Sequence, residues 1–174
     1  GNWGWIARAG GILLGSHSAY DTKRKRAMPN LAKGIFAINP LSDQTLWTYR
    51  GAGIEHDGIA VDGDLVFLVD GKLDEKEKKA ALANRIIDAS VQDRALDRRG
   101  QPVEPDLGKL VALSLKTGKP LWSKPFDFSD LTVDDRVIGQ RSGIACLVKD
   151  GVVVVAGIGS IGHPYQQYRK GEFA

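Results

Sequence analysis

An eleven-residue stretch occurs twice in this chain, and that repetition limits the possible fold more than any other feature. Residues 37–47 read AINPLSDQTLW and residues 112–122 read ALSLKTGKPLW. Each copy follows a short apolar run, at 34–36 and 109–111, and each closes on Leu-Trp, at Trp47 and Trp122. A strand, a small turn-forming stretch, and a return strand whose Trp packs back across the sheet is the pattern of a β-hairpin. Recurrence of the unit predicts a repeat architecture, because one such hairpin cannot bury its apolar face alone.

The second copy resembles the tryptophan-docking repeat of the pyrroloquinoline-quinone-like β-propellers. That superfamily includes the quinoprotein alcohol dehydrogenases and the outer-membrane assembly lipoprotein propeller. The family pattern has Ala first, Thr-Gly in the turn and Trp at the eleventh position, and Ala112, Thr117, Gly118 and Trp122 fit it. The first copy keeps Ala37 and Trp47 but has Ser42-Asp43 in place of Thr-Gly. The resemblance implies that each Trp docks between neighbouring blades. It also implies a periplasmic or exported protein.

Three further hairpins surround the repeats. Residues 5–9 and 12–14 flank Gly10-Gly11, residues 58–61 and 65–69 flank 62–64, and residues 143–148 and 152–155 flank 149–151. Gly and Asp at these turns supply the positive φ angles that tight hairpins require. The first two hairpins are each followed, after a longer connection, by a Trp-bearing one. The expected fold is all-β, built of four-stranded antiparallel propeller blades with one helical insertion. About two and a half blades are expected: 4–50, then 57–126 with the insertion at 74–96, then a half blade at 142–156. Closure of a propeller takes at least about four blades, and an open edge leaves backbone groups unpaired. The expectation is therefore a portion of a longer polypeptide, with the remaining blades supplied by the same chain or another subunit.

In a four-strand meander successive connections alternate between the two ends. The long ones, 16–33, 51–56, 72–107 and 127–141, then gather on one face, and that face is the one to search for function. The insertion offers Asp74 as N-cap, Glu75 and Glu77 in an acidic first turn, and Leu82, Ile86 and Ala89 along one stripe. It reads either as a helix packed across the face or as a lid or partner-docking helix.

Composition narrows the partners. A formal charge of +3 is too small to argue for nucleic acid, and the Lys23–Arg26 run reads as a solvated loop. No apolar run approaches the length of a membrane span. Cys146, the sole cysteine, excludes an internal disulfide and reads as a small buried side chain.

His17, His56 and His163 fall in or beside the long connections. His56-Asp57 precedes the innermost strand of the second blade, and Arg141 holds the matching place before the third. Innermost strands line a propeller's channel, so His17, His56, Asp57, Arg141 and His163 are the candidate binding residues. The plainer reading is that His56 and Asp57 fix a turn. No metal site is expected from these residues alone. Residues 157–162 have the spacing GxGxxG, but His163-Pro164 follows where a dinucleotide-binding fold needs a helix, so a loop is the better reading.

The functional expectation is a non-catalytic scaffold that binds a ligand or protein partner on the long-loop face. The alternative, implied by resemblance alone, is part of a quinone- and calcium-dependent alcohol or sugar dehydrogenase. Cys146 by itself cannot form the vicinal disulfide of those enzymes, and their calcium ligands and Asp base match no position here. Pyrroloquinoline quinone and calcium therefore rest on the resemblance only. A third reading is an assembly subunit that grips its partner with 74–96.

Overall fold

The computed structural model describes residues 3–23, 25–83, 105–127 and 141–159. Four strands form the first sheet in chain order: β1 (Trp3–Ala9), β2 (Ile12–Asp21), β3 (Arg26–Asn39) and β4 (Gln44–Glu55). A 3-10 turn at His56–Gly58 leads into a second sheet of β5 (Ile59–Asp62), β6 (Leu65–Asp70), β7 (Leu107–Ser114) and β8 (Pro120–Asp127). A third sheet pairs β9 (Arg141–Lys149) with β10 (Val152–Gly159). Every pairing is antiparallel. The all-β class expected from the sequence is observed, and among the described residues no sheet closes on itself.

The two sequence repeats fold into the same hairpin. Ala37 pairs with Trp47, Ala112 pairs with Trp122, and in both the register slips immediately after the Ala. Each turn places its seventh repeat position in the left-handed region, Asp43 at φ 57° and Gly118 at φ 65°. Glycine reaches that region without steric cost, whereas Asp tolerates it less well.

Burial explains why the strands differ in pattern. One face of the first sheet, with Leu14, Ile35, Ala37 and Trp47, packs on Val66, Leu68, Val111, Leu113 and Leu115 of the second. The opposite face of the second sheet, with Phe67, Val69, Leu110 and Ala112, packs on Ile144 and Cys146 of the third. The second sheet is thus the middle layer, and β6 is apolar without a break from Leu65 to Val69 because both its faces are covered. In β10, by contrast, Val153 and Val155 are half-buried while Val152 and Val154 are exposed, the alternation of a strand covered on one side.

Two local expectations need correction. Residues 16–33 are not a loop, since β2 runs to Asp21 and β3 resumes at Arg26, with Ala19 opposite Met28 and Asp21 opposite Arg26. Register shifts after His17 and after Ser18 disrupt the two-residue alternation that would have marked these strands. Residues 51–55 likewise belong to β4, which leaves only the 3-10 turn between the first two sheets.

The helix α1 is described over Glu75–Ala83, and residues 84–96 of the expected insertion lie outside the described residues. It begins with a reciprocal cap: the Glu77 amide donates to Asp74 Oδ1 (2.8 Å) and the Asp74 amide to Glu77 Oε2 (3.0 Å). Leu82 is partly exposed, and the buried residue is Ala81. The helix sits against β7 and β8, where Lys109 Nζ meets Glu77 at 2.7 Å in a largely buried ion pair. Over the described residues the contact of the helix is therefore small and charged, and Ile86 and Ala89 of the expected stripe lie outside the described residues.

Candidate functional site

The ends of β2, β4, β6 and β8 and the starts of β3, β7 and β9 lie at one end of the sheets. The buried polar side chains among the described residues are Ser16, His56, Asp70 and Asp127, and two groups of contacts, around His56 and around Asp70, organise this end. His56, held by the 3-10 turn, sits with Nε2 3.0 Å from the buried Ser16 hydroxyl of β2. Gly4 of β1 lies so close that a Cβ at that position would overlap the His56 ring. Gly58, two residues further, fits against Ile144 and Val69 with no room to spare. The turn is therefore wedged between all three sheets, and His56 links the first sheet to the strand that opens the second.

Asp70, fully buried at the end of β6, is the second group. Its Oδ2 accepts the Tyr49 hydroxyl (2.8 Å), and its Oδ1 accepts the amides of Ala52 (2.8 Å) and Lys72 (3.0 Å). Gly51 makes this possible, because a Cβ there would stand 2.7 Å from the Asp70 carboxylate. Burial pushes the Tyr49 phenol well up, and the bond to Asp70 and the negative charges of Asp70 and Glu77 push it further. One carboxylate thus ties β4 of the first sheet to β6 of the second and fixes the exit into α1.

Among the described residues, the candidates His17, His56 and Asp57 do not converge. His17 is exposed on the opposite face of the first sheet from His56, 4.5 Å from the Phe36 ring, with Trp3 edge-on to the same ring at 5.1 Å. Asp57 is exposed beside the buried His56. Arg141 begins β9, where only its backbone is described, and His163 lies outside the described residues. Among the described residues no group of three His, Cys, Asp or Glu side chains comes together. Cys146 is buried against the second sheet, with its thiol raised by burial to about 11.

Sequence reasoning missed both Asp70 and the Ser16–His56 pair. The signal for Asp70 was present: a carboxylate ending a wholly apolar strand has no solvent at hand and must find donors. Ser16 carried no such signal, since its partner lies forty residues away.

At the other end of the sheets, the Trp47 indole of the first sheet reaches into the second. Its Nε1–H donates to the Leu115 carbonyl at 2.8 Å. Its ring lies so close on Gly118 that a Cβ there would overlap it. Trp47 is 8% exposed and Trp122 is 44% exposed, although the two occupy equivalent places in their hairpins.

No family model and no curated protein matches the chain. Among solved structures it is similar to the computationally designed Ika8 protein, at 11% identity and a TM-score of 0.32, covering 90% of this chain and 42% of that one. A likeness that slight carries no argument. Among the described residues no helix is long and apolar enough to cross a membrane.

Proposed function

We propose that the sheets are consecutive blades of a tryptophan-docked β-propeller, and that the protein is a non-catalytic scaffold binding a ligand or protein partner at its long-connection end. The observation that carries this reading is the Trp47 indole, seated on the turn of the next repeat at Leu115 and Gly118. It matches the contact that the eleven-residue resemblance implies. The same resemblance suggests a periplasmic or exported protein whose remaining blades come from the same chain or another subunit.

The scaffold role follows from how the polar groups at that end are used. Ser16, His56, Tyr49 and Asp70 bond to one another or to backbone and hold the sheets in place. Exposed residues such as Asp57 and Lys79 then stand on a rigid base. A surface scan of the two ends tests this. Asp57→Lys with Lys79→Glu should abolish capture of partners from an extract of the source organism at unchanged Tm, while Leu41→Ser at the opposite end should leave capture intact. Loss of capture from the Leu41 end alone, or saturable quenching of tryptophan fluorescence by quinone with calcium, would overturn the reading.

A further inference from the structure

The first turn of α1 is closed by a carboxylate that the sheet also holds. Glu77 Oε2 accepts the Asp74 amide at 3.0 Å, and Asp74 Oδ1 accepts the Glu77 amide at 2.8 Å. The same Glu77 carboxylate receives Lys109 Nζ of β7 on both its oxygens, at 2.7 and 2.9 Å. The approach to the helix is fixed as well. Asp70 Oδ1 accepts the Lys72 amide at 3.0 Å, and a Cβ on Gly71 would stand 2.8 Å from the Ala52 carbonyl.

Little else holds the described part of the helix down. Ala81, one turn after Glu77, is its one buried residue, and an alanine removes little apolar surface from water. Lys76, Lys78, Lys79 and Leu82 are exposed. Two ion pairs involve the helix, and they differ in kind. Lys78–Glu75 has side chains 47% and 82% exposed, whereas Lys109–Glu77 has 16% and 22%. An exposed pair contributes almost nothing, while removing one partner of a covered pair strands the other charge. Starting a helix is its costly step, since a whole turn is fixed for one backbone bond. Here that bond runs from the Lys78 amide to the Asp74 carbonyl at 2.9 Å, inside the turn that Glu77 closes.

We infer that Lys109 is the clasp that folds α1. By holding the Glu77 carboxylate it fixes the group that caps the first turn, so docking and helix formation are one event. The helix is then a strap at the long-connection end, ordered while Lys109 holds Glu77 and unwound when it does not. Lys76 and Lys79 are presented together at that end only in the clasped state. The clasp lies between β6, β7 and α1 and does not depend on whether the sheets are propeller blades.

Amide hydrogen exchange of the 15N-labelled full chain tests the clasp. Lys109→Met, a change outside the helix, should speed exchange at the Lys78–Ala83 amides at least about tenfold, with the β3 and β6 amides changed less than about twofold. Glu77→Gln keeps a capping acceptor but loses the charge. It should have the same effect at a partly exposed position, where folding of the rest is not at risk. Lys78→Met, which breaks the exposed pair, should leave the later helix amides within about twofold of the parent. The double variant Glu77→Lys with Lys109→Glu restores opposite charges across the same contact but leaves the Asp74 amide without its acceptor, and the helix should stay unprotected. Unchanged exchange in Lys109→Met or Glu77→Gln would overturn the inference. So would equal acceleration in β3 and β6, which reports a weaker fold throughout. Protection regained in the charge-swapped chain would show that the ion pair acts without the cap, and the coupling of docking to helix formation would fall.

Discussion

Trp47 and Leu115 are joined by a 2.8 Å hydrogen bond that crosses from the first sheet to the second. The indole N–H is a donor with no alternative partner once buried, and the carbonyl belongs to a turn that would otherwise face an apolar ring. Removing the donor strands the acceptor, and that asymmetry sets the size of the effect.

Trp47→Phe should therefore destabilise the chain by about 2 kcal/mol, the sum of an unsatisfied carbonyl and lost packing. Trp122→Phe should change stability by less than about 0.5 kcal/mol, because its ring is already half in solvent. Urea denaturation of both variants checks this. Equal losses would show that the two repeats are equivalently seated.

Gly118→Ala and Asp43→Gly should move in opposite directions. Alanine at 118 brings a methyl group into the Trp47 ring and places a side chain at φ 65°. The cost should be about 2–3 kcal/mol. Glycine at 43 removes a side chain from the same left-handed position and should gain up to about 1 kcal/mol. Thermal melts of the pair read both signs, and a destabilised Asp43→Gly chain would contradict the account.

Both effects trace to residues visible in the repeat, and this part of the fold was legible from the sequence. Hairpins, their glycine and aspartate turns, and the two Trp positions follow from local chemistry. The extension of β2 and β3 through 16–33 was not legible, because two bulges break the alternation that marks a strand. Nor could the sequence separate Trp47 from Trp122, since their difference lies in what the next sheet brings to each. The candidate site was the least legible part. His17 and His56 both stand near sheet ends in the sequence, yet β2 sets His17 against Phe36 on one face while the 3-10 turn holds His56 against Ser16 on the other. Asp70, which the sequence reading passed over, organises that end.

Asp70→Ala should cost about 3 kcal/mol or more, leaving the Ala52 and Lys72 amides and the Tyr49 hydroxyl without their acceptor. Tyr49→Phe removes one of those donors and should cost about 1 kcal/mol. A double-mutant cycle should show strong coupling between the two sites, and additive losses would mean that Asp70 does not work through Tyr49.

Alkaline pH should weaken the fold. Burial raises the Cys146 thiol from 9.0 to about 11, and the Tyr49 phenol is raised as well. Below about pH 9 folded and unfolded chains both hold the thiol proton, so the contribution is constant. Between 9 and 11 the unfolded chain releases it first, and stability falls by up to about 1.4 kcal/mol per pH unit. The Tyr49 loss begins near pH 10 and continues beyond. Denaturation midpoints from pH 8 to 11 should fall more gently in Cys146→Ala than in the parent, and identical slopes would refute the assignment.

The most direct measurement is hydrogen exchange at the indole N–H groups of the 15N-labelled chain. A seated Trp47 predicts an indole N–H protected like the core amides of β3 and β7, with the Trp122 indole N–H exchanging at least about a hundredfold faster. Comparable exchange at Trp47 and Trp122 would mean that no tryptophan locks one sheet to the next, and the propeller reading would fall with it.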